Sequence, residues 1–563
     1  MSNRKAIFIL IMVISLGVIS NIIWISADTI IDREEAIGLI RSADYRNILK
    51  SDMSLAEKFK SIFSRDPQKP HYSALYYLLP AIFPVGRDLY ADFARMLNAV
   101  YLIILLVFVY KISYYLFQDR RAAVLSSYVM LCAPIAFSLS RWFMPSIAVM
   151  SLTAVCVYLL LVSDELNKPF YSMLFLVFFI IGSVMANYFL YYFIFPLAFI
   201  FVKKAVDFKK WKFDIITISF FILMSLFFLV FLKYYARYAF SLLRAITIKE
   251  NYYNLLIFIT KVFINRQVYL LYFIFLLIGI YFAFRFFDKN TRMLFIFLGG
   301  MALTFLLVNK AYFDSLKRFT APYAVFYAIF ISFWIFKIKN GKVRKSLALF
   351  LIFASAFIFV KSGFGFLDKF AGERCYIKCK GGIDFCVFDH VTWSETRPMA
   401  QDWHCREIAE LLIKEDKKEG GRILIVPDID GLNANIISYY MHINEYPLNL
   451  LYFWNYAENY YLTLFDSGYI FIKSGASIKN VWGNNKHNSL RLENFMNNPP
   501  KVFLSNFTLL EAYNLPDGSV GRLYKRRGTG LLGRPVRERL EILREAADFN
   551  PDSKAVKSLL KKR

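Results

Sequence analysis

Ile25-Ser26-Ala27-Asp28-Thr29-Ile30-Ile31-Asp32-Arg33-Glu34-Glu35-Ala36 is the stretch on which the reading of this chain turns. It follows an apolar run from Ala6 to Ile25, about 20 residues and so long enough to cross a bilayer as a helix. Arg4 and Lys5 precede the run and no small-residue cleavage site follows it, so it reads as a retained membrane helix rather than a removed leader. Four acids, Asp28, Asp32, Glu34 and Glu35, then fall within eight residues. Carboxylates at a membrane surface repel anionic headgroups and one another, so the cluster needs a cause. One cause is a helix N-terminus, with Asp28 or Asp32 as N-cap and Glu34 and Glu35 in a first turn favoured by the helix dipole. The other is a catalytic or ligand-binding carboxylate at the bilayer interface.

The rest of the chain sets the class. Of 563 residues 58% are hydrophobic, Phe occurs 59 times and the mean hydropathy is +0.44, values that fit a polytopic membrane protein. The net charge is +26, but the cations lie mostly between apolar runs or in the C-terminal tail, where lipid headgroups are the fitting partner and nucleic acid is not. Apolar runs recur at roughly 6–26, 95–117, 121–139, 143–162, 169–186, 188–203, 213–232, 268–286, 292–309, 320–337 and 345–362. They predict about eleven transmembrane helices. The connections Met1–Lys5, 118–121, 163–168, 203–212, 285–292 and 337–345 share one side, cytoplasmic by their Lys and Arg content. Loops 27–94 and 233–267 and everything after about 363 then face outward. Lys310, Lys317, Arg318 and Arg141 are cations on that outer side, where an anionic ligand or snorkelling to lipid phosphate explains them.

Composition changes after Phe366. Cys375, Cys379, Cys386 and Cys405 fall within 31 residues, and their spacing does not match paired zinc motifs, so two disulfides of open pairing are expected outside the cytoplasm. A helical pattern at 406–417, strand patterns at 422–426, 469–473, 501–504 and 520–524 and a second helix at 432–442 predict an α/β domain. The expected organisation is mainly α: a transmembrane domain over 1–366, an extracytoplasmic α/β domain over 367–525 and a basic tail over 526–563.

Several chemistries are excluded by what the sequence lacks. There is no GxSxG elbow, no GxxxxGK[ST] loop and no GxGxxG fingerprint. Asp428, Asp430 and Gly431 lack the spacing and distal Glu of a calcium loop and read as a strand-to-helix turn.

What remains is the outer membrane face, and there the chain resembles the GT-C glycosyltransferases that use polyprenyl-phosphate sugars, in particular protein O-mannosyltransferases and the lipid A aminoarabinose transferase. Asp32-Arg33-Glu34-Glu35-Ala36 is similar to their Asp-Pro-Asp-Glu-Ala loop. Lys69-Pro70-His71-Tyr72 with Leu75-Tyr76-Tyr77 is similar to Lys-Pro-Pro-Leu-Tyr-Tyr. Ser140–Ser146 resembles Ser-Arg-Tyr-x-x-Pro-Asp, and Arg318-Phe319-Thr320-Ala321-Pro322 resembles Arg-Tyr-x-x-Pro. The likeness covers about residues 1–337. It departs where the family's catalytic Asp falls on Glu34, a later Asp on Ser146, and a Glu before Lys-Pro on Gln68.

The resemblance implies inverting transfer of a sugar from a polyprenyl phosphate to a hydroxyl of a lipid, glycan or protein, at the outer face of the cytoplasmic membrane. It implies Glu34, or Asp32 in a shifted alignment, as the base. Arg318, Lys69, Lys317 and Arg141 are its candidates for the donor phosphate, and Glu35, His71, Tyr76 and Tyr77 for substrate contacts. No cofactor and no metal ligand are expected, a weak divalent dependence staying open. A lipid transporter or flippase and an inactive scaffold are the alternatives.

Overall fold

The computed structural model describes residues 1–28, 30–63, 74–206, 268–285, 294–297, 299–300, 320–364, 376–379, 383–386, 400–415, 422–426, 431–446, 449–451, 464–474, 497–528 and 535–549. These are about 75% helical with a small sheet. They fall into two compact units, neither continuous in sequence. The first is Met1–Asp28, Phe59–Pro80 and Ala91–Met399; the second is Thr29–Lys58, Ala81–Tyr90 and Ala400–Arg563.

Among the described residues, three helices of the first unit are long and apolar enough to cross a membrane: Asn3–Ala27, Tyr90–Phe117 and Gly341–Phe364, the middle one beginning at Tyr90, the last residue of the second unit's 81–90 segment. Ser146–Val162, Pro169–Met185, Tyr269–Arg285 and Ala321–Lys337 are apolar helices of 10–17 residues. The 213–232 run lies outside the described residues. The run at 121–139 is not one helix. Arg120–Cys132 stops at Ala133, and Pro134, which has no N–H to continue the ladder, begins a separate helix, Pro134–Leu139. Close packing explains one glycine: a Cβ on Gly17 would stand 2.8 Å from Leu131 Cδ1, so the Asn3–Ala27 and Arg120–Cys132 helices meet there at short range. Two contacts join the basic connections to one another or to the chain's start. Arg120 Nη1 donates to the Met1 carbonyl at 3.4 Å, and Lys203 pairs with Glu165 across two of them.

The second unit is built on a mixed five-stranded sheet. We number the strands β1 (Tyr376–Cys379), β2 (Ile383–Cys386), β3 (Arg422–Val426), β4 (Asn449–Leu451), β5 (Tyr469–Ser474), β6 (Phe507–Asn514) and β7 (Val520–Arg526). β1 and β2 form an antiparallel hairpin in the first unit; the sheet order is β4-β3-β5-β7-β6. β3 is parallel to β4 and β5, while β7 is antiparallel to β5 and β6. β5 is buried throughout, as its run Tyr-Ile-Phe-Ile demands. The expected strand at 501–504 is instead a helix, Lys501–Asn506, begun after Pro500, and the strand follows it at Phe507. Three apolar residues carry no usable period, so Val502-Phe503-Leu504 could not distinguish the two.

A helix from the first loop belongs to this unit. Arg33–Lys50 lies parallel to Ala434–Ile443: Asn435 Nδ2 donates to the Arg33 carbonyl at 3.4 Å, and His442 Nδ1 meets Asp44 Oδ1 at 2.7 Å. Ser42 and Tyr90 share a buried hydroxyl hydrogen bond of 2.7 Å, with the Arg46 guanidinium 5.2 Å from the Tyr90 ring centre.

Cys405, expected in a disulfide, is a free, buried thiol donating to the Gly431 carbonyl at 3.3 Å. Burial pushes its thiol well up, so it stays protonated and unreactive. Cys375 lies outside the described residues.

Lys473 on β5 is 1% exposed and pairs with Asp517 at 2.5 Å. Burial alone would raise the Asp517 carboxyl, but hydrogen bonds from Lys473 and Ser519 hold it below its ordinary value of 3.8. A lowered carboxyl contributes stability that is complete above its unfolded value and is lost as pH falls through the folded one. Asp517→Asn, which strands a buried ammonium, should therefore cost about 3 kcal/mol at neutral pH. The gap from wild type should close below about pH 4. Thermal unfolding of both proteins from pH 7 downward measures it; a gap that does not narrow would mean the pair is not the source.

Candidate active site

The acid cluster begins with a helix start. Asp32 is the N-cap of Arg33–Lys50: its Oδ1 accepts from Glu34 N at 2.8 Å, and the Glu35 carboxylate accepts from Asp32 N at 3.4 Å. This capping box satisfies donors the first turn would otherwise leave open. Asp32 and Glu34 are half-buried and Glu35 is fully buried. The cap occupies the carboxylates of Asp32 and Glu35 and makes no use of that of Glu34. The N-terminus reading of the cluster therefore holds for three of its acids, with Asp32 as N-cap and Glu34 and Glu35 in the first turn.

The fourth acid, Asp28, lies in the first unit. It ends the Asn3–Ala27 helix and pairs with Arg95 at 3.2 Å, both side chains 2% exposed. The Arg95 guanidinium also sits 5.9 Å from the Trp24 ring centre. On the same indole, 5.6 Å away, lies Arg141. Arg141 is fully buried. Its Nη1 donates to the Gly363 carbonyl at 2.9 Å and its Nε to Asn21 Oδ1 at 3.4 Å, and Phe364 stands 4.7 Å from the guanidinium. Gly363 is the penultimate residue of Gly341–Phe364, so the cation meets the negative end of that helix. Asn21 Nδ2 donates to Ser140 Oγ at 3.1 Å, tying the first helix to the same turn.

Beside this lies an aromatic wall. Tyr76 stacks on Phe143 with ring centres 4.9 Å apart, and Tyr77 meets the same ring edge-on at 5.6 Å. Tyr76 Oη donates to Asn98 Oδ1 at 2.7 Å, and Asn98 Nδ2 donates to the Trp142 carbonyl. Tyr76 and Tyr77 are 1% and 2% exposed. Ser146, where the family resemblance puts an acid, is a buried hydroxyl at the start of Ser146–Val162. The structure thus brings together Tyr76, Tyr77, Phe143 and the Ser140–Trp142 turn. Arg318, Lys317, Lys69 and His71 lie outside the described residues.

Sequence reasoning passed over three elements of this arrangement. Arg95 and Asp28 flank apolar runs, a legible signal, but their pairing across 67 positions is not. Asn21 and Asn98 are single amides inside apolar runs, and each bonds to the 140–142 turn. In the second unit Asp402, His404 and Glu407 hold their ligand atoms within 4.8 Å of one another. His404 Nδ1 meets Glu407 Oε2 at 2.8 Å and Nε2 meets the Asn514 carbonyl at 3.2 Å, while Asp402 Oδ1 accepts from His404 N at 2.8 Å. The group closes the start of the Cys405–Glu415 helix.

Compared with known proteins, the chain matches no family model and no curated protein.

Arg95→Met should lower the stability of the purified protein by about 3–5 kcal/mol, because it leaves the buried Asp28 carboxylate without its cation. Asp28→Leu combined with Arg95→Met should recover much of that loss. Chemical unfolding of the three proteins measures the coupling; equal losses in single and double variants would show that the ion pair does not hold this corner.

Proposed function

We propose that the protein is a polytopic membrane glycosyltransferase of about eleven spans. It would move a sugar, with inversion, from a polyprenyl phosphate to a hydroxyl acceptor on the extracytoplasmic face. The observation that carries this reading is the packing of Tyr76 and Tyr77 on Phe143. Two segments far apart in sequence, each similar to a motif of the polyprenyl-phosphate sugar transferases, lie in direct contact. Such contact gives the two likenesses a common location, which supports reading them together.

On this reading Glu34 is the base, taking the acceptor's proton as its oxygen attacks C1 of the sugar. Negative charge grows on the departing phosphate, where a guanidinium acts most strongly in the transition state; Arg318 is assigned that role, with Lys69 and Lys317 as further candidates. Arg141, fully buried on a helix-end carbonyl, supports the fold of the first unit rather than touching the donor. Asp32 and Glu35 hold Glu34 in the first turn through the capping box.

The test is turnover of a radiolabelled polyprenyl-phosphate sugar by purified protein. Glu34→Gln should lower the rate by about 10²–10⁴ with donor binding nearly unchanged. Arg318→Ala should weaken donor binding and slow turnover together, since a phosphate contact acts in both ground and transition states. Asp32→Asn is an interpretable control because Asn caps helices as well as Asp does, so a dead Asp32→Asn protein would move the base to Asp32. Full activity in all three variants would remove these residues from the mechanism.

Metal dependence gives a separate check. With Ser146 and Gln68 at positions where the family carries acids, a chelator should leave most of the turnover intact. Complete loss, restored by Mg²⁺ or Mn²⁺, would contradict the proposed ligand-poor site. A second reading, an inactive scaffold, is favoured by the use of Asp32 and Glu35 in the cap; a wild-type protein that transfers no sugar from any polyprenyl phosphate offered would support it.

A further inference from the structure

The Asn3–Ala27, Arg120–Cys132 and Gly341–Phe364 helices flank an open cavity of about 760 Å³ at the end where all three begin. Val13, Leu16, Val124, Leu349 and Ile352 are among the residues of its almost wholly apolar wall. At its mouth stand Met1, Arg121, Arg344 and Lys345, and among the described residues no carboxylate lines it. Arg121 and Lys345 are exposed and Arg344 is half-exposed.

We infer that this cavity selectively holds an anionic glycerophospholipid of the leaflet on the side of the basic connections. Three features fix that occupant. The first is charge complementarity: three side-chain cations converge on one end, a field that favours a phosphate, while the helix starts there are already capped by Ser2, Asp119 and Asn340. The second is wall chemistry, since an apolar surface next to that field suits acyl chains and rejects a free anion. The third is depth. From Arg121 to Tyr128, and from Lys345 to Ile352, the helices rise about 10 Å. That is most of the ~15 Å hydrocarbon thickness of one leaflet. A lipid of a single leaflet therefore fills the cavity with its head at the cations. The inference rests on the membrane reading of these helices and not on sugar transfer, so an inactive protein leaves it standing.

The experiment is native mass spectrometry of the full chain released from nanodiscs of equal phosphatidylglycerol and phosphatidylcholine with matched acyl chains. Wild type should retain phosphatidylglycerol in excess, by roughly fivefold for each basic contact made. The triple variant Arg121→Gln, Arg344→Gln, Lys345→Gln changes side chains at the surface of a helix end. It should retain the two lipids equally. Ala348→Trp, which fills the apolar wall, should lower the number of retained lipids of both kinds. Equal retention by wild type, or an unchanged preference in the triple variant, would overturn the inference. So would displacement of phosphatidylglycerol from wild type by equimolar undecaprenyl phosphate, which would assign the cavity to a different lipid.

Discussion

Two guanidinium groups, Arg95 and Arg141, stand against the single indole ring of Trp24, both withdrawn from water. A buried cation is tolerated only where opposite charge or acceptors meet it, and each of these is met differently. Arg95 has a carboxylate, Asp28; Arg141 has a helix-end carbonyl, an amide oxygen and aromatic faces. Satisfying the pair fixes the end of the first helix, the start of the second and the turn at 140–142. It also fixes the last turn of the Gly341–Phe364 helix. The aromatic wall of Tyr76, Tyr77 and Phe143 is anchored to the same turn through Asn98. The candidate site of the first unit is therefore a by-product of neutralising two charges.

The acid cluster shows how one short stretch serves unlike ends. Asp28 neutralises a cation, Asp32 and Glu35 bond to backbone donors, and Glu34 is left out of the capping box. The four neighbouring acids thus divide among different roles rather than forming one pooled negative patch. If Glu34 is a base, its helix start gives it a fixed origin, which is what proton abstraction at a defined oxygen requires.

How much of this was legible in the sequence follows from the range over which each signal acts. The first apolar run and the capping residues were legible, because length, hydropathy and Asp-x-x-Glu spacing are local. β3, β5 and β7 were found from short β-branched and aromatic runs. The helix at Lys501–Asn506 was not, since four residues are too few to define a period, and Pro500 was the only cue. The break at Pro134 was written in the chain but lost within a continuous apolar run. Cysteine spacing suggested a bridge, yet Cys405 is held by a carbonyl. The partnership of His442 with Asp44, like that of Asp28 with Arg95, has no local signature at all.

The position of the Arg33–Lys50 helix bears on how the chain is made. Its partner, Ala434–Ile443, is translated nearly 400 residues later. At about 5–20 residues per second, the interval is of the order of 20–80 s. Throughout that time Ala36, Leu39 and Ala43, buried in the finished protein, have no completed surface to meet. The ribosome releases the second unit's first helix long before its last strand, so this unit closes only after Val520–Arg526 has emerged. Any factor that shields nascent chains has a target there from the first minute of the protein's existence.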